Sequence, residues 1–199
     1  MNSLPILGTE RLILRPLTLA DAPALFESCR DPRLTRFTLF ETHDSIADTL
    51  RFLNESAFPN YAAGWPNPFG IARKNEPERI FGCAGANWTR GHKVMECGYW
   101  IAVPEWGRGI ATEALGRLIE YVFEATDAER IQARAIVGNE ASERVLLKVG
   151  FQIEETQENI VRWDGYWDTK MFRLLRGEYS GYDRIPKDPK VIDCNSTQG

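Results

Sequence analysis

The chain has 199 residues, 43% of them hydrophobic, and a formal net charge of −4. That length suits one domain able to bury about 70% of its unfolded surface, and no apolar run reaches the ~20 residues of a membrane-spanning helix. With no basic stripe for nucleic acid and no charged-then-apolar leader pattern, the reading is a cytoplasmic protein without membrane or nucleic-acid partners.

In chain order, residues 11–17 read as a strand and 20–29 as a helix; the connecting segment DPRLTRF leads to a second helix at about 43–55. FPNYAAGWPNPFG (58–70) is rich in proline, glycine, asparagine and aromatics and reads as a loop. Strands are expected at about 68–74, 79–89 and 93–103, then a helix at 107–125. A strand at 130–137, a helix at 140–149 and strands at 151–161 and 166–176 complete a single domain over 1–179. Residues 180–199 carry prolines and charges without periodicity, as an irregular extension.

The most informative stretch is WGRGIATEAL (106–115), which follows the strand-like VMECGYWIAV and Pro104. Gly107 and Gly109 open a helix, and a loop without side chains at a helix start presents unpaired N–H groups at the positive end of the dipole. Such a cluster attracts a phosphate or pyrophosphate. A third glycine and a Gly-Lys-Ser/Thr ending are both absent, so neither the dinucleotide fingerprint nor the nucleotide-hydrolase loop applies. A turn requiring positive φ explains two glycines about as well as a ligand does. Along the helix, Ile110, Ala114, Leu118 and Val122 form one apolar row; Ala111, Leu115, Ile119 and Phe123 form its neighbour. Arg108, Glu113, Arg117, Glu120 and Glu124 are left facing water.

A second motif, GNEASERVLLKVGF (138–151), has Asn139 as N-cap, an apolar face of Val145, Leu146 and Val149, and Gly150 as the C-terminal glycine. Asp164-Gly165 between aromatic-rich segments signals a tight hairpin.

Taken with the opening TERLILRPLTLADA (9–22), these motifs in this order resemble the GNAT superfamily of acetyl-CoA-dependent N-acetyltransferases. The likeness is to the RimJ/RimL-type branch, which includes ribosomal-protein N-terminal acetyltransferases, and it covers roughly residues 8 to 179. It implies an α/β fold with a mixed, mostly antiparallel sheet of about seven strands. That sheet would be splayed between the fourth and fifth strands and flanked by about four helices. The superfamily signature Q/R-x-x-G-x-G/A is met with Trp106 in the Q/R place and Gly109 and Ala111 at the small positions. Leu146 stands where many members carry a proton-donating tyrosine; the branch pattern N-x-x-S corresponds instead to Asn139 and Ser142.

The resemblance implies acetyl-CoA as co-substrate, no metal, and direct attack of an amine on the thioester. The pyrophosphate would meet the loop Trp106, Gly107, Arg108, Gly109, Ile110, Ala111 and Thr112. A backbone N–H around Ile101, Ala102 or Val103 would polarise the carbonyl. Asn139 would bond the cofactor arm or a water, and Ser142 would protonate the thiolate; the alternative makes Asn139 a cap and Ser142 a first-turn residue only.

Glu96 is the carboxylate of the central strand and a candidate general base, with a structural ion pair as its alternative. Strand alternation puts Glu96, Gly98 and Trp100 on one face and Cys97, Tyr99 and Ile101 on the other. Tyr61, Trp65 and Phe69 of the 58–70 segment, with Trp100, are candidates for an acceptor wall; packing of helices on the sheet is the alternative for the loop aromatics. Trp163 and Trp167 have the same dual reading.

His43 and His92 lack partners at ligand spacing. The cysteines at 29, 83, 97 and 194 show neither zinc nor disulfide spacing. A mildly acidic chain suits a cationic acceptor. Three functions follow: acetylation of a protein N-terminal amine, acetylation of a small amine such as a polyamine, amino sugar or antibiotic, or non-catalytic binding of acetyl-CoA. The last strands are candidates for a homodimer contact.

Overall fold

The computed structural model describes residues 4–162 and 164–181. Trp163 and most of the expected extension lie outside the described residues. One sheet contains β1 (Leu7–Gly8), β2 (Leu12–Pro16), β3 (Phe69–Arg73), β4 (Gly82–Trp88), β5 (Val94–Ile101), β6 (Arg130–Ile136), β7 (Gln152–Arg162) and β8 (Gly165–Leu175). Their spatial order is β1-β2-β3-β4-β5-β6-β8-β7, antiparallel everywhere except between β5 and β6. The two-residue β1 brings the expected seven strands to eight.

The parallel pairing is short. β5 meets β6 only at Val94↔Arg130, Met95↔Ile131 and Glu96↔Gln132. Beyond that point β5 stays with β4 as far as Ile101↔Gly82, while β6 follows β8 as far as Ile136↔Thr169. The sheet halves therefore diverge, and the expected splay falls between β5 and β6 because β1 adds one to the count.

Helices cover both faces. On one lie α5 (Ile110–Ala125) and α6 (Glu140–Val149), whose Ile110, Leu115, Leu118, Ile119, Leu146 and Val149 join Leu14, Ile71, Met95, Ile131 and Phe172 in the main core. Burying side chains of this size stabilises by roughly 1.5–3 kcal/mol each. The apolar rows of α5 behave as their spacing requires, but Glu113 does not face water. Its carboxylate accepts from Thr9 Oγ1 at 2.6 Å, the Arg11 amide at 3.0 Å and Arg11 Nε at 2.6 Å, which ties the first turn of α5 to the N-terminal strands.

The other face carries α1 (Ala22–Cys29), α2 (Pro32–Thr35), α3 (Ile46–Phe52), a π-helical stretch Leu53–Ala57 and α4 (Phe58–Ala62). The single helix expected at 43–55 starts later, at a Ser45/Asp48 capping box, and runs on through Pro59. Pro59 has no N–H for the ladder of this continuous helix, and the π-helical turn just before it is where that ladder is irregular. DPRLTRF is not merely a connection: the Asp31 carboxylate accepts the Arg33 N–H at 2.9 Å and Pro32 starts α2. In the final hairpin, Gly165 already pairs with Arg162 as the first residue of β8. No helix among the described residues is long and apolar enough to cross a membrane.

The link between β2 and α1 depends on Asp21, which is 3% exposed. It accepts from Arg15 Nη2 at 2.6 Å, Arg15 Nη1 at 2.9 Å and the Thr18 amide at 2.7 Å. Burial pushes this carboxyl up, but the Arg15 guanidinium and the Thr18 amide outweigh it and hold it below the usual range. A depressed folded-state pKa means that the contribution is present at neutral pH and is lost as pH falls through that value. Asp21→Asn is expected to lower unfolding free energy at pH 7 by about 3 kcal/mol. The gap from the parent should narrow below about pH 4 in denaturant titrations, whereas a pH-independent difference would contradict the coupling.

Candidate active site

The diverging strands leave an edge of β5 open. Ala102 donates its N–H to the Phe81 carbonyl at 2.7 Å, so the alternation of an antiparallel ladder aims Trp100 and Gly98 at β4 as well. Tyr99 and Ile101 are thereby turned toward the gap. The Ile101 carbonyl accepts from Trp106 Nε1 at 2.7 Å. These facts correct the expected oxyanion donors: the Ala102 amide is already bonded in the sheet, and Val103 heads a 3-10 turn outside the cleft lining. Among the expected donors only Ile101 keeps that position, and Tyr99 joins it.

After this turn the chain passes through Gly107 (φ +74°) and Gly109 (φ +73°), a left-handed conformation that side-chained residues adopt at a cost of about 1–2 kcal/mol. A Cβ would find open space at Gly107 and only Arg11 Nη2, 3.6 Å away, at Gly109. Backbone conformation, not crowding, is what requires glycine here. The first internal bond of α5 runs from the Glu113 N–H to the Gly109 carbonyl at 3.1 Å. Among the described residues the amides of Ile110, Ala111 and Thr112 therefore have no acceptor and stand at the positive end of a 16-residue helix. Arg11 Nη1 braces the loop at the Arg108 carbonyl (3.1 Å), and Glu105 receives both Arg108 Nη1 (3.0 Å) and Arg73 Nη2 (2.6 Å).

Across the gap, Asn139 caps α6 by accepting the Ser142 N–H at 3.2 Å. The Ser142 hydroxyl lies 3.0 Å from the Tyr99 hydroxyl. Tyr99 is the functional candidate that sequence reasoning missed. Alternation grouped it with Cys97 and Ile101 on one face of the strand, but nothing in sequence joins two residues 43 positions apart. Burial pushes the Tyr99 phenol above its ordinary value, with the Ser142 hydrogen bond pulling the other way. The phenol is therefore neutral and can donate at physiological pH.

The resulting cleft, about 570 Å³, draws its lining from both layers. Tyr99, Trp100 and Ile101, the segment Trp106 through Thr112, and Asn139 and Ser142 all face it, bringing together most of the expected cofactor residues. The opposite layer contributes Arg33, Leu34, Arg36, Phe37 and Thr38, from α2 and the turn after it.

Of the expected acceptor residues, Trp100 is in place and the 58–70 aromatics are not. Trp65 donates its indole N–H to the Ala86 carbonyl at 2.7 Å and stacks on Tyr121, with centroids 5.9 Å apart. Phe69 meets Tyr121 edge-on, and Tyr61 accepts the Leu17 N–H at 2.9 Å and donates to the Pro68 carbonyl. The segment folds as α4 and a return to the sheet, so its aromatics serve packing.

Trp167 is also outside the lining. It donates to Asp164 at 3.0 Å and covers Arg162, which is 7% exposed, with 4.5 Å from guanidinium carbon to ring centroid. Arg162 Nη1 in turn donates to the carbonyls of Arg36 at 2.6 Å and Thr38 at 3.2 Å, pinning the turn after α2 to the final hairpin.

Glu96 is outside the cleft lining, held by Gln132 Nε2 at 2.8 Å and Arg134 Nη2 at 3.2 Å. Glu96 stands at the vertex where the two sheet halves part, but its carboxylate is engaged by two neighbours and is absent from the cleft lining, so the ion-pair alternative fits it better. Glu96→Gln is expected to leave kcat/KM and its pH profile unchanged; a fall of about a hundredfold would restore the base role.

The sequence family described as Acetyltransferase (GNAT) domain matches residues 11–152, and the chain belongs to it. It is an N-acetyltransferase of the GNAT type. The N-acetyltransferase YoaA of Bacillus subtilis (strain 168) is 32% identical over 173 residues, covering 86% of this chain and 97% of YoaA. YdaF of the same strain, named as a candidate ribosomal N-acetyltransferase, is 31% identical over 177 residues, covering 86% of this chain and 95% of its own length. Among solved structures, RimL, the ribosomal L7/L12 alpha-N-protein acetyltransferase in complex with coenzyme A, superposes with a TM-score of 0.75. It is 20% identical, over 86% of this chain and 98% of RimL.

Proposed function

We propose that the enzyme takes acetyl-CoA as donor and acetylates the α-amine of a protein N-terminus. One juxtaposition carries this reading: bare amides open α5 at one end of the gap, and the Tyr99–Ser142 pair faces it from the two diverging halves. The fit rests on this chain's own features. Glycines at positive φ leave the turn unobstructed, and three α5 amides with no acceptor among the described residues suit a pyrophosphate.

Bound acetyl-CoA supplies a thioester as acyl donor. The gap-facing amides of Tyr99 and Ile101 stabilise negative charge on the carbonyl oxygen as the amine nitrogen bonds to the carbonyl carbon. As the C–S bond breaks, Ser142 gives its hydroxyl proton to the departing sulfur and is reprotonated through Tyr99 by the proton the amine nitrogen sheds on becoming an amide, so one N–H is lost, one S–H is formed and both hydroxyls end neutral. Asn139 keeps the Ser142 end of α6 in register through its cap.

The N-terminal acceptor is supported by the name of YdaF, a relative along nearly its whole length. The deciding experiment follows thiol release from acetyl-CoA over peptides with different first residues and over small amines. Turnover concentrated on peptides supports the acceptor assignment, and turnover confined to small amines contradicts it.

A further inference from the structure

The cleft is opposite in sign to the chain. The protein as a whole carries −4, yet the residues facing the cleft include Arg33, Arg36, Arg108, Arg144 and Lys148 against one carboxylate, Glu105. Glu105 is itself met by Arg73 and Arg108 at 2.6 and 3.0 Å. Arg108 flanks the bare amides of α5, and Arg144 and Lys148 belong to α6, where Arg144 is paired with Glu140 at 3.4 Å.

Arg33 and Arg36 belong to the other layer, at α2 and the turn that follows it. Arg33 is bound to Asp31 at 2.6 Å. Arg36 is not so occupied: its guanidinium rests on the Phe37 ring, 5.0 Å from the centroid, with no carboxylate partner among the described residues. Its backbone is nevertheless held, because Arg162 donates to the carbonyls on both sides of Phe37. A fixed main chain that presents an exposed guanidinium at the cleft lining, with no carboxylate partner among the described residues, suits an anion, since arginine meets a carboxylate with two parallel N–H donors.

We infer that the acceptor of this enzyme is an amine carrying a carboxylate close to the reacting nitrogen, and that Arg36 is the residue that selects it. The inference rests on the acetyl-transfer reading and narrows its substrate class. It runs against polyamines, which the chain's net charge by itself suits as well as it suits an N-terminal amine. The same chemistry has two sources, an N-terminal segment with Asp or Glu at its second or third residue, or a small amino acid. Like charges facing a cationic wall are disfavoured in either case.

The test measures acetyl-CoA turnover on three matched peptides, Ser-Glu-Glu, Ser-Gln-Gln and Ser-Lys-Lys at the N-terminus, together with glutamate and spermidine. The acidic peptide is expected to exceed the lysine peptide in kcat/KM by about ten- to a hundredfold, the range of one charged hydrogen-bonded contact. Turnover of glutamate at the acidic peptide's level would assign the small-molecule source of the same chemistry. Arg36→Gln should erase most of the preference, and Arg36→Glu should reverse it, while calorimetric affinity for acetyl-CoA stays unchanged in both.

Charge-blind turnover, or a preference for the lysine peptide or spermidine, would overturn the inference and leave acetyl transfer intact. So would an Arg36→Gln enzyme that loses acetyl-CoA affinity, because the guanidinium would then serve the donor. Thiol release with none of the acceptors would overturn the acetyl-transfer reading itself, and this inference with it.

Discussion

In a Ser142→Ala enzyme, kcat is expected to fall by about ten- to a thousandfold, the span of a single positioned proton transfer, while affinity for acetyl-CoA stays within about twofold. The reason is geometric. Ser142 is fixed at its amide by Asn139 and at its hydroxyl by Tyr99, so its oxygen is positioned before any ligand arrives. Tyr99→Phe removes the other hydroxyl of the pair and should lower kcat as well.

If the two hydroxyls act as one relay, the double variant is little worse than the more damaged single variant, since groups that work as a unit are strongly non-additive. Fully additive losses would mean separate roles. A Ser142→Ala enzyme with parental kcat would remove the proton-donor assignment altogether. Pre-steady-state measurement of thiol release separates the chemical step from product departure.

The second large effect is expected at Gly109. Valine there must adopt φ near +73°, a region costly for any L-residue and more so for a β-branched one. The loop will relax toward negative φ, and the amides of Ile110, Ala111 and Thr112 will turn with it. Acetyl-CoA affinity should fall by about ten- to a hundredfold, corresponding to roughly 1–3 kcal/mol of backbone strain or lost contacts. KM for the acceptor at saturating donor should change little. Because a Cβ at this position meets only Arg11 Nη2, the effect tests conformation rather than steric exclusion. Gly109→Val with undiminished affinity would show that those amides do not hold the donor.

Local rules made much of this legible. The bounds of α6 were readable because Asn139 caps one end and Gly150, at φ +105°, closes the other. The two apolar rows of α5 specified its buried face. The hydrophobic pattern in 93–103 and 130–137 gave two strands, and the resemblance supplied both their adjacency and the gap between them.

What remained hidden depends on contacts distant in sequence. Glu113 looked solvated because its partners, Thr9 and Arg11, lie more than a hundred residues away. Tyr99 was placed on the right face of its strand, yet its pairing with Ser142 exists only once α6 packs on the sheet. The acceptor wall was sought in the aromatic-rich 58–70 segment, where packing against Tyr121 and Ala86 uses the rings. The wall of the cleft opposite α5 and α6 comes instead from α2 and the turn after it, held by Arg162 from the far hairpin. An Asp-Pro helix start at 31–32 was the available sign of that element, though not of its position over the cleft.

The central claim is that the amides opening α5 hold a pyrophosphate, and it is tested most directly by comparing ligands on the unmodified protein. Calorimetric titration with coenzyme A should give one site per chain. Pantetheine, which keeps the thiol arm but lacks the pyrophosphate and the nucleotide, should bind at least about a hundredfold more weakly, while 4′-phosphopantetheine, which lacks the nucleotide but keeps one of the two phosphates, should recover part of that loss. Equal affinities, or no heat with coenzyme A at all, would contradict it.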